Sequence, residues 1–262
     1  MNCKYYISGT GKCLNPNTGD DKYFCVHHAG LYDNVRTEDF SEEVYFAPWI
    51  GVDYEKRHFF GKRTLVLGNS HYCSEKEVDC EERKELGSCP RIRYQDCCYN
   101  TIQAMVLRFN FVQRCALCVV GGLTEEEIQQ KEKVNFARDS ICFYNFVQES
   151  LWNGSASPST LQCKKSDNAF FEVLEKLRPE LVIALGTSHM YKDLPGDASR
   201  YPERWKENEP FRFEDTDISN GHYILNDSTE IPLLFICHPA ARESYDPLFW
   251  NRAIAAFAEK NE

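Results

Sequence analysis

Three short runs of uninterrupted apolar residues constrain this chain most. Arg63-Thr-Leu-Val-Leu-Gly68 and Leu181-Val-Ile-Ala-Leu-Gly186 each end in glycine, and Pro232-Leu-Leu-Phe-Ile-Cys237 leads straight into His238-Pro239. A strand with one wet face alternates apolar and polar residues. Runs without alternation are strands covered on both faces, as in a largely parallel sheet. Ser140 to Val147 is a fourth apolar run, with a polar Asn145 inside it. Between these runs lie segments of helical spacing. One is Cys98 to Phe111, through Ile102, Met105, Val106 and Phe109; another is Ser166 to Leu177, with Ser166 or Asp167 as its cap and Pro179 as its stop. Pro247 to Glu259 closes the chain as a third helix, with Pro247 in its first turn. Strands alternating with helices predict an α/β fold. The expectation is a three-layer αβα sandwich over residues 46–262, with a central, mostly parallel sheet of four or five strands. The polar stretch Lys192 to Asn226, with Pro195, Pro202 and Pro210, reads as a long surface insertion. Gly121 to Lys133 is a second polar stretch, in which Glu125 to Lys133 suits an exposed helix.

Residues 1–30 form a separate unit with too few apolar side chains for a core. They carry Cys3, Cys13, Cys25, His27 and His28 in the pattern C-x9-C-x11-C-x2-H. A thiolate and an imidazole two residues apart can share a tetrahedral ion on one tight turn, and a coreless segment needs a staple. Structural zinc held by Cys3, Cys13, Cys25 and His28 is the expectation, with His27 as substitute; incidental thiols in a tail are the alternative. Cys73, Cys80, Cys89 and Cys97, with Cys98 beside them, lie on one charged loop and are candidates for a second metal, zinc over iron. Cys115 and Cys118 form a lone CxxC, while Cys142, Cys163 and Cys237 read as core or incidental thiols. The thirteen cysteines are an odd number, and Met1 to Lys12 has no apolar core of the export type. The expected compartment is therefore reducing and cytoplasmic.

The chain has 262 residues, 30 of them Lys or Arg against 40 Asp or Glu, for a net charge of −10. That balance excludes a protein held on nucleic acid by bulk charge and leaves room for a local basic groove. No apolar run approaches the ~18 residues of a membrane span, so no membrane partner is expected. The chain is read as a monomer.

Ligands of open α/β sheets bind beyond the carboxyl ends of the strands. Three strands here end in polar sequences: Gly68-Asn-Ser-His-Tyr72, Phe143-Tyr-Asn-Phe146 and Cys237-His-Pro-Ala-Ala-Arg242. If these ends are neighbours, Asn69, His71, Tyr72, Asn145 and His238 line one cleft. It holds no Ser/His/Asp triad and no GxxxxGK[ST]. Amides, imidazoles and an aromatic ring suit a flat heterocycle with exocyclic oxygens, and the stabilisation of an anion.

The order of these pieces resembles the uracil-DNA glycosylase superfamily, from about Phe46 to the C-terminus. Leu65-Val-Leu-Gly-Asn-Ser-His-Tyr72 is similar to its water-activating loop. Phe143-Tyr-Asn-Phe146 looks like the strand whose Asn reads the pyrimidine edge. Leu177 to Gly186 is similar to a strand of the thermophilic and bacterial families, and His238-Pro239 to the second catalytic motif. The resemblance implies a DNA glycosylase that flips a nucleotide out and hydrolyses its N-glycosidic bond, leaving an abasic site. The base is uracil or a modified pyrimidine with a bulky C5 group, in repair or in defence against foreign DNA. Asn145, Tyr72 and Phe143 are the implied base-binding residues, and His238 stabilises the departing base. Asn69 and His71 are candidates to position water. Arg242, Arg91 and Arg93 are candidates for DNA contact, with Lys56, Arg57, Lys62, Arg63 and Arg252 as further basic groups near the motifs. The chain departs from the family at Ser70, where an Asp is usual, at Asn69, where another branch carries Glu, and at Ala240, where Ser is usual. Two alternatives stay open: a non-catalytic nucleic-acid or nucleobase sensor on the same fold, and a hydrolase or transferase acting on free nucleosides or nucleotides.

The N-terminal unit generates a direct expectation. Metal analysis of the purified protein should find at least one zinc per chain, and Cys25→Ser should lower the content by one. Unchanged metal in that variant removes the site.

Overall fold

A computed structural model of the chain describes residues 6–7, 12–13, 34–36, 39–72, 111–124, 126–151, 157–186, 203–238 and 245–262. Its centre is a seven-stranded mixed sheet. In chain order the strands are β3 (Trp49–Ile50), β4 (Thr64–Gly68), β6 (Cys142–Asn145), β8 (Leu181–Leu185), β9 (Trp205–Glu207), β12 (Asn220–Ile224) and β13 (Glu230–Ile236). Their spatial order is β3-β6-β4-β8-β13-β12-β9. The four middle strands, β6, β4, β8 and β13, are mutually parallel; β3 joins one side antiparallel, and β12 and β9 join the other. Three small antiparallel or parallel pairs lie outside it: β1 (Tyr6–Ile7) with β2 (Lys12–Cys13), β5 (His71–Tyr72) with β7 (Ser150–Leu151), and β10 (Phe211–Phe213) with β11 (Thr216–Ile218).

The parallel strands are the apolar runs, and every residue of β4, β6 and β8 is buried. Their side chains divide between two cores. Val66, Phe143, Ile183, Leu234 and Ile236 face α1 (Phe111–Gly121), α2 (Lys131–Asp139) and α4 (Pro247–Lys260). Leu65, Leu67, Tyr144, Val182, Ala184 and Leu233 face α3 (Thr160–Leu177). Helices thus cover both faces, which is why the middles of these strands are apolar.

The sheet is wider and less parallel than the expected four or five mostly parallel strands. The difference lies in the segment expected to be a surface insertion: from Glu203 to Asn226 it folds into β9 to β12. Those strands mix buried residues with exposed or half-exposed polar ones, so they lack the continuous apolar run that marks the others. Trp205 and Tyr223 point inward, while Lys206 and Glu207 are exposed. Trp49–Ile50 adds the opposite edge. α3 begins at Thr160, six residues before its expected start. Ser159 is its cap, and its hydroxyl and Gln162 form a reciprocal capping box. Ser166 and Asp167 lie buried inside the helix instead. α4 keeps its expected start, with Asp246 capping Leu248 N–H ahead of Pro247. The helix expected over Cys98 to Phe111 falls outside the described residues up to its last residue, where α1 begins. Among the described residues, no helix is long and apolar enough to cross a membrane.

The amino ends of β4 and β8 are tied together by charge. Glu180 accepts two hydrogen bonds from the Arg57 guanidinium, at 2.7 and 3.0 Å, and one from the Arg63 backbone N–H at 2.9 Å; its own N–H donates to Arg63 O at 2.8 Å. These bonds, the Arg57 side chain's first, hold its carboxyl down to about 2 against the opposing effect of burial. Glu180→Ala should lower the unfolding free energy by about 1–2 kcal/mol, since charge-assisted bonds are removed at a partly exposed site. Chemical denaturation at pH 7 reads this. The difference from wild type should shrink as pH falls from about 4.5 towards 2, where the carboxylate protonates and its bonds weaken.

Candidate functional site

The registers place the ends of all four parallel strands in one row. Gly68 is the partner of Asn145, Leu67 of Ala184, and Leu185 of Ile236. Asn145, Gly68, Leu185 and Ile236 therefore stand side by side, and the polar residues that follow emerge at one edge. The chain lays down β4, then β6 on one side of it, then β8 on the other. That reversal makes the loop leaving β4 the floor of the crevice that open sheets use for ligands. With strands about 4.8 Å apart, His238 stands roughly 10 Å across the row from Asn69 and roughly 14 Å from Asn145.

Gly68 is required here for space. A side chain at this position would meet the carboxamide of Asn145, and the Phe143 ring lies 3.3 Å from the same point. The bare glycine lets the Asn145 amide lie back over β4. The β4–β6 ladder continues past the strands, through Phe146 N–H to Gly68 O at 3.0 Å and Val147 N–H to Asn69 O at 2.8 Å. Asn69 is thus held by its backbone while its half-buried side chain sits at the crevice. At the end of β8, Gly186 takes φ of 150° and donates to Ile236 O at 2.9 Å, a turn that a side chain would strain.

His71 is buried and lies against Asn145. The amide nitrogen is 3.3 Å from Nδ1 and 3.2 Å from Nε2. The Phe46 ring packs on the imidazole with centroids 4.5 Å apart. Burial lowers the His71 pKa from 6.5 to about 3, so the ring is neutral at pH 7. His238 is half-buried at the end of β13, and burial lowers its pKa as well, which favours a neutral ring with one N–H to donate. Phe143 is 9% exposed, mostly sunk in the core beneath Asn145. The loop from Gly68 to Tyr72 offers no carboxylate.

Several contributors carry no signal in the sequence. Gln148 braces the site: its Oε1 accepts from Phe46 N–H at 2.8 Å, and its Nε2 donates to Asn145 O at 3.0 Å. Its own N–H donates to Ser166 Oγ at 2.9 Å, which anchors the brace on α3. Ser70, next to His71, and Ser150, its cross-strand partner, bury hydroxyls that find no partner among the described residues.

Other expected site residues lie elsewhere. The side chains of Tyr72 and Cys13 are outside the described residues, as are Cys3, Cys25, His28, Cys73, Cys80, Cys89, Cys97, Arg91, Arg93 and Arg242. Among the described residues no cluster of His, Cys, Asp or Glu is suited to a metal. Arg57 and Arg63 sit at the start of β4, the end of the sheet away from the crevice, and both pair with Glu180. Lys56 pairs with Asp53 and Arg252 with Glu214. Among the described residues, Lys56, Arg57, Arg63 and Arg252 are thus engaged in ion pairs.

The buried imidazole has a consequence for stability. Below pH 6.5 the unfolded chain binds a proton that folded His71 refuses, so stability is complete above that pH and is lost as pH falls towards about 3. Between pH 6.5 and 5 most carboxylates stay ionised in both states, and the decline there belongs to histidines. His71→Phe should flatten the melting temperature against pH over that interval; an unchanged slope would place the ring in water. Comparisons of the chain with protein-family models and with curated proteins find no match.

Proposed function

We propose that the chain is a DNA glycosylase acting on uracil or a modified pyrimidine flipped out of DNA. The observation that carries this reading is the row of strand ends. It sets an amide, Asn145, and a neutral imidazole, His238, at one edge with the ends of β4 and β8 between them. An Asn carboxamide offers an acceptor to a ring N–H and a donor to a carbonyl, the pattern of the uracil edge. His238 donates a hydrogen bond to a base carbonyl as the glycosidic bond lengthens and negative charge gathers on the leaving base. Asn69 orients the water that attacks the sugar C1′. With no carboxylate in its loop, it positions this water without deprotonating it.

The absence of that carboxylate favours a second reading, a nucleic-acid or nucleobase sensor that binds through the same edge and does not cleave. An abasic-site assay on oligonucleotides carrying different pyrimidines separates the two.

His238→Ala should slow single-turnover release of the base about a hundredfold, equivalent to ~3 kcal/mol. DNA affinity should change little, because phosphate contacts supply most of it. Release at the wild-type rate removes His238 from the chemistry. Asn145→Asp exchanges a donor for an acceptor, so it should shift the ratio of kcat/KM for uracil-type over cytosine-type substrates by roughly tenfold or more towards cytosine. An unaltered ratio makes Asn145 a core amide.

A further inference from the structure

The two distances between Asn145 and His71 carry more than a contact. A hydrogen bond in the ring plane runs along the lone pair of one nitrogen and leaves the other well out of reach. Here Nδ2 is 3.3 Å from Nδ1 and 3.2 Å from Nε2. Near-equal distances this short put the amide nitrogen over the face of the imidazole, since an in-plane position would collide with the carbon between the two nitrogens. An N–H directed at a neutral aromatic face is a weak attractive contact.

The terminal torsion of an Asn side chain is broad, so an amide at a strand end swings unless its surroundings stop it. Two surfaces stop this one: Gly68 lies beneath it, and the His71 face closes one side. The imidazole is fixed in turn by the Phe46 ring. Gln148 joins the backbones of Phe46 and Asn145, which ties the tilted Phe46–His71 ring pair to the strand that carries the amide.

We propose that His71 is a positioning residue: its ring face is the platform that fixes the plane of the Asn145 carboxamide, and through it which base edge the site accepts. This rests on the reading of Asn145 as the base-reading amide. It assigns His71 no proton transfer and leaves the water to Asn69. A flat apolar ring of similar size does the same work, whereas a methyl group does not.

The test compares His71→Phe with His71→Ala. In a ¹H–¹⁵N spectrum of the free protein, the Asn145 side-chain amide protons should be shifted upfield by the ring current in wild type. His71→Phe should keep the shift and His71→Ala should lose it, the assignment coming from Asn145→Ala. In the abasic-site assay, His71→Phe should keep the uracil-to-cytosine preference in kcat/KM, and His71→Ala should erode it by roughly tenfold. Adding His71→Ala to Asn145→Ala should erode it no further. Amide protons without the upfield shift in wild type overturn the inference whatever the activity. Equal loss of turnover on both bases in His71→Phe and His71→Ala also overturns it, because it assigns the ring to the water. A wild type that releases no base overturns the glycosylase reading alone, and the spectrum still decides whether the ring face holds the amide. If His71→Ala does not fold, wild type and His71→Phe still give opposite answers for a platform and for a proton carrier.

Discussion

Everything at the crevice depends on burying four parallel strands on both faces. That burial leaves the middles of β4, β6, β8 and β13 to apolar and aromatic residues, with Thr64 and Glu230 at the amino ends of β4 and β13, so the polar groups of the site enter where the strands run out. Because the four ends share one row, polar residues far apart in the chain, at positions 69, 145 and 238, surface along a single edge. The register does the assembling. A slip of one residue between β4 and β6 would turn Asn145 away from Gly68 and into the other core.

The same burial decides what a reader of the sequence can see. Leu65 to Gly68, Leu181 to Gly186 and Leu233 to Ile236 announce themselves because nothing but apolar residues can occupy them. Their common edge followed from the rule that ligands gather at the carboxyl ends of such strands, and Asn145 stood out as a polar residue in an apolar run. β9, β11 and β12 were hidden, since a short strand carrying polar residues reads like a polar loop, as Lys206, Glu207 and His222 show. The start of α3 was hidden for a different reason: its cap, Ser159, lies in a polar stretch that also suits a loop. Burial of His71 was out of reach altogether. A histidine in a loop after a strand is ordinarily wet, and only the cross-strand pairing with Ser150 and the packing of Phe46 sink it.

Charge is distributed unevenly along the sheet. Its amino-terminal end carries the ion pairs of Glu180 with Arg57 and Arg63. Among the described residues, its carboxyl-terminal end carries neutral donors and acceptors, with both histidines kept uncharged by burial.

The antiparallel strands that join β13 have a consequence for solubility. Without β12, β13 would be an edge: seven residues, mostly apolar, with a row of unpaired backbone groups ready to pair with another chain. β12 covers it, and β9 covers β12, moving the free margin outward to a strand of three residues with Lys206 and Glu207 in water. On the far side the margin is β3, only two residues long. Both borders of the sheet are thus too short, and one of them too charged, to template the growth of a larger sheet. The long apolar strands that build the crevice stay out of reach of other molecules of the same kind.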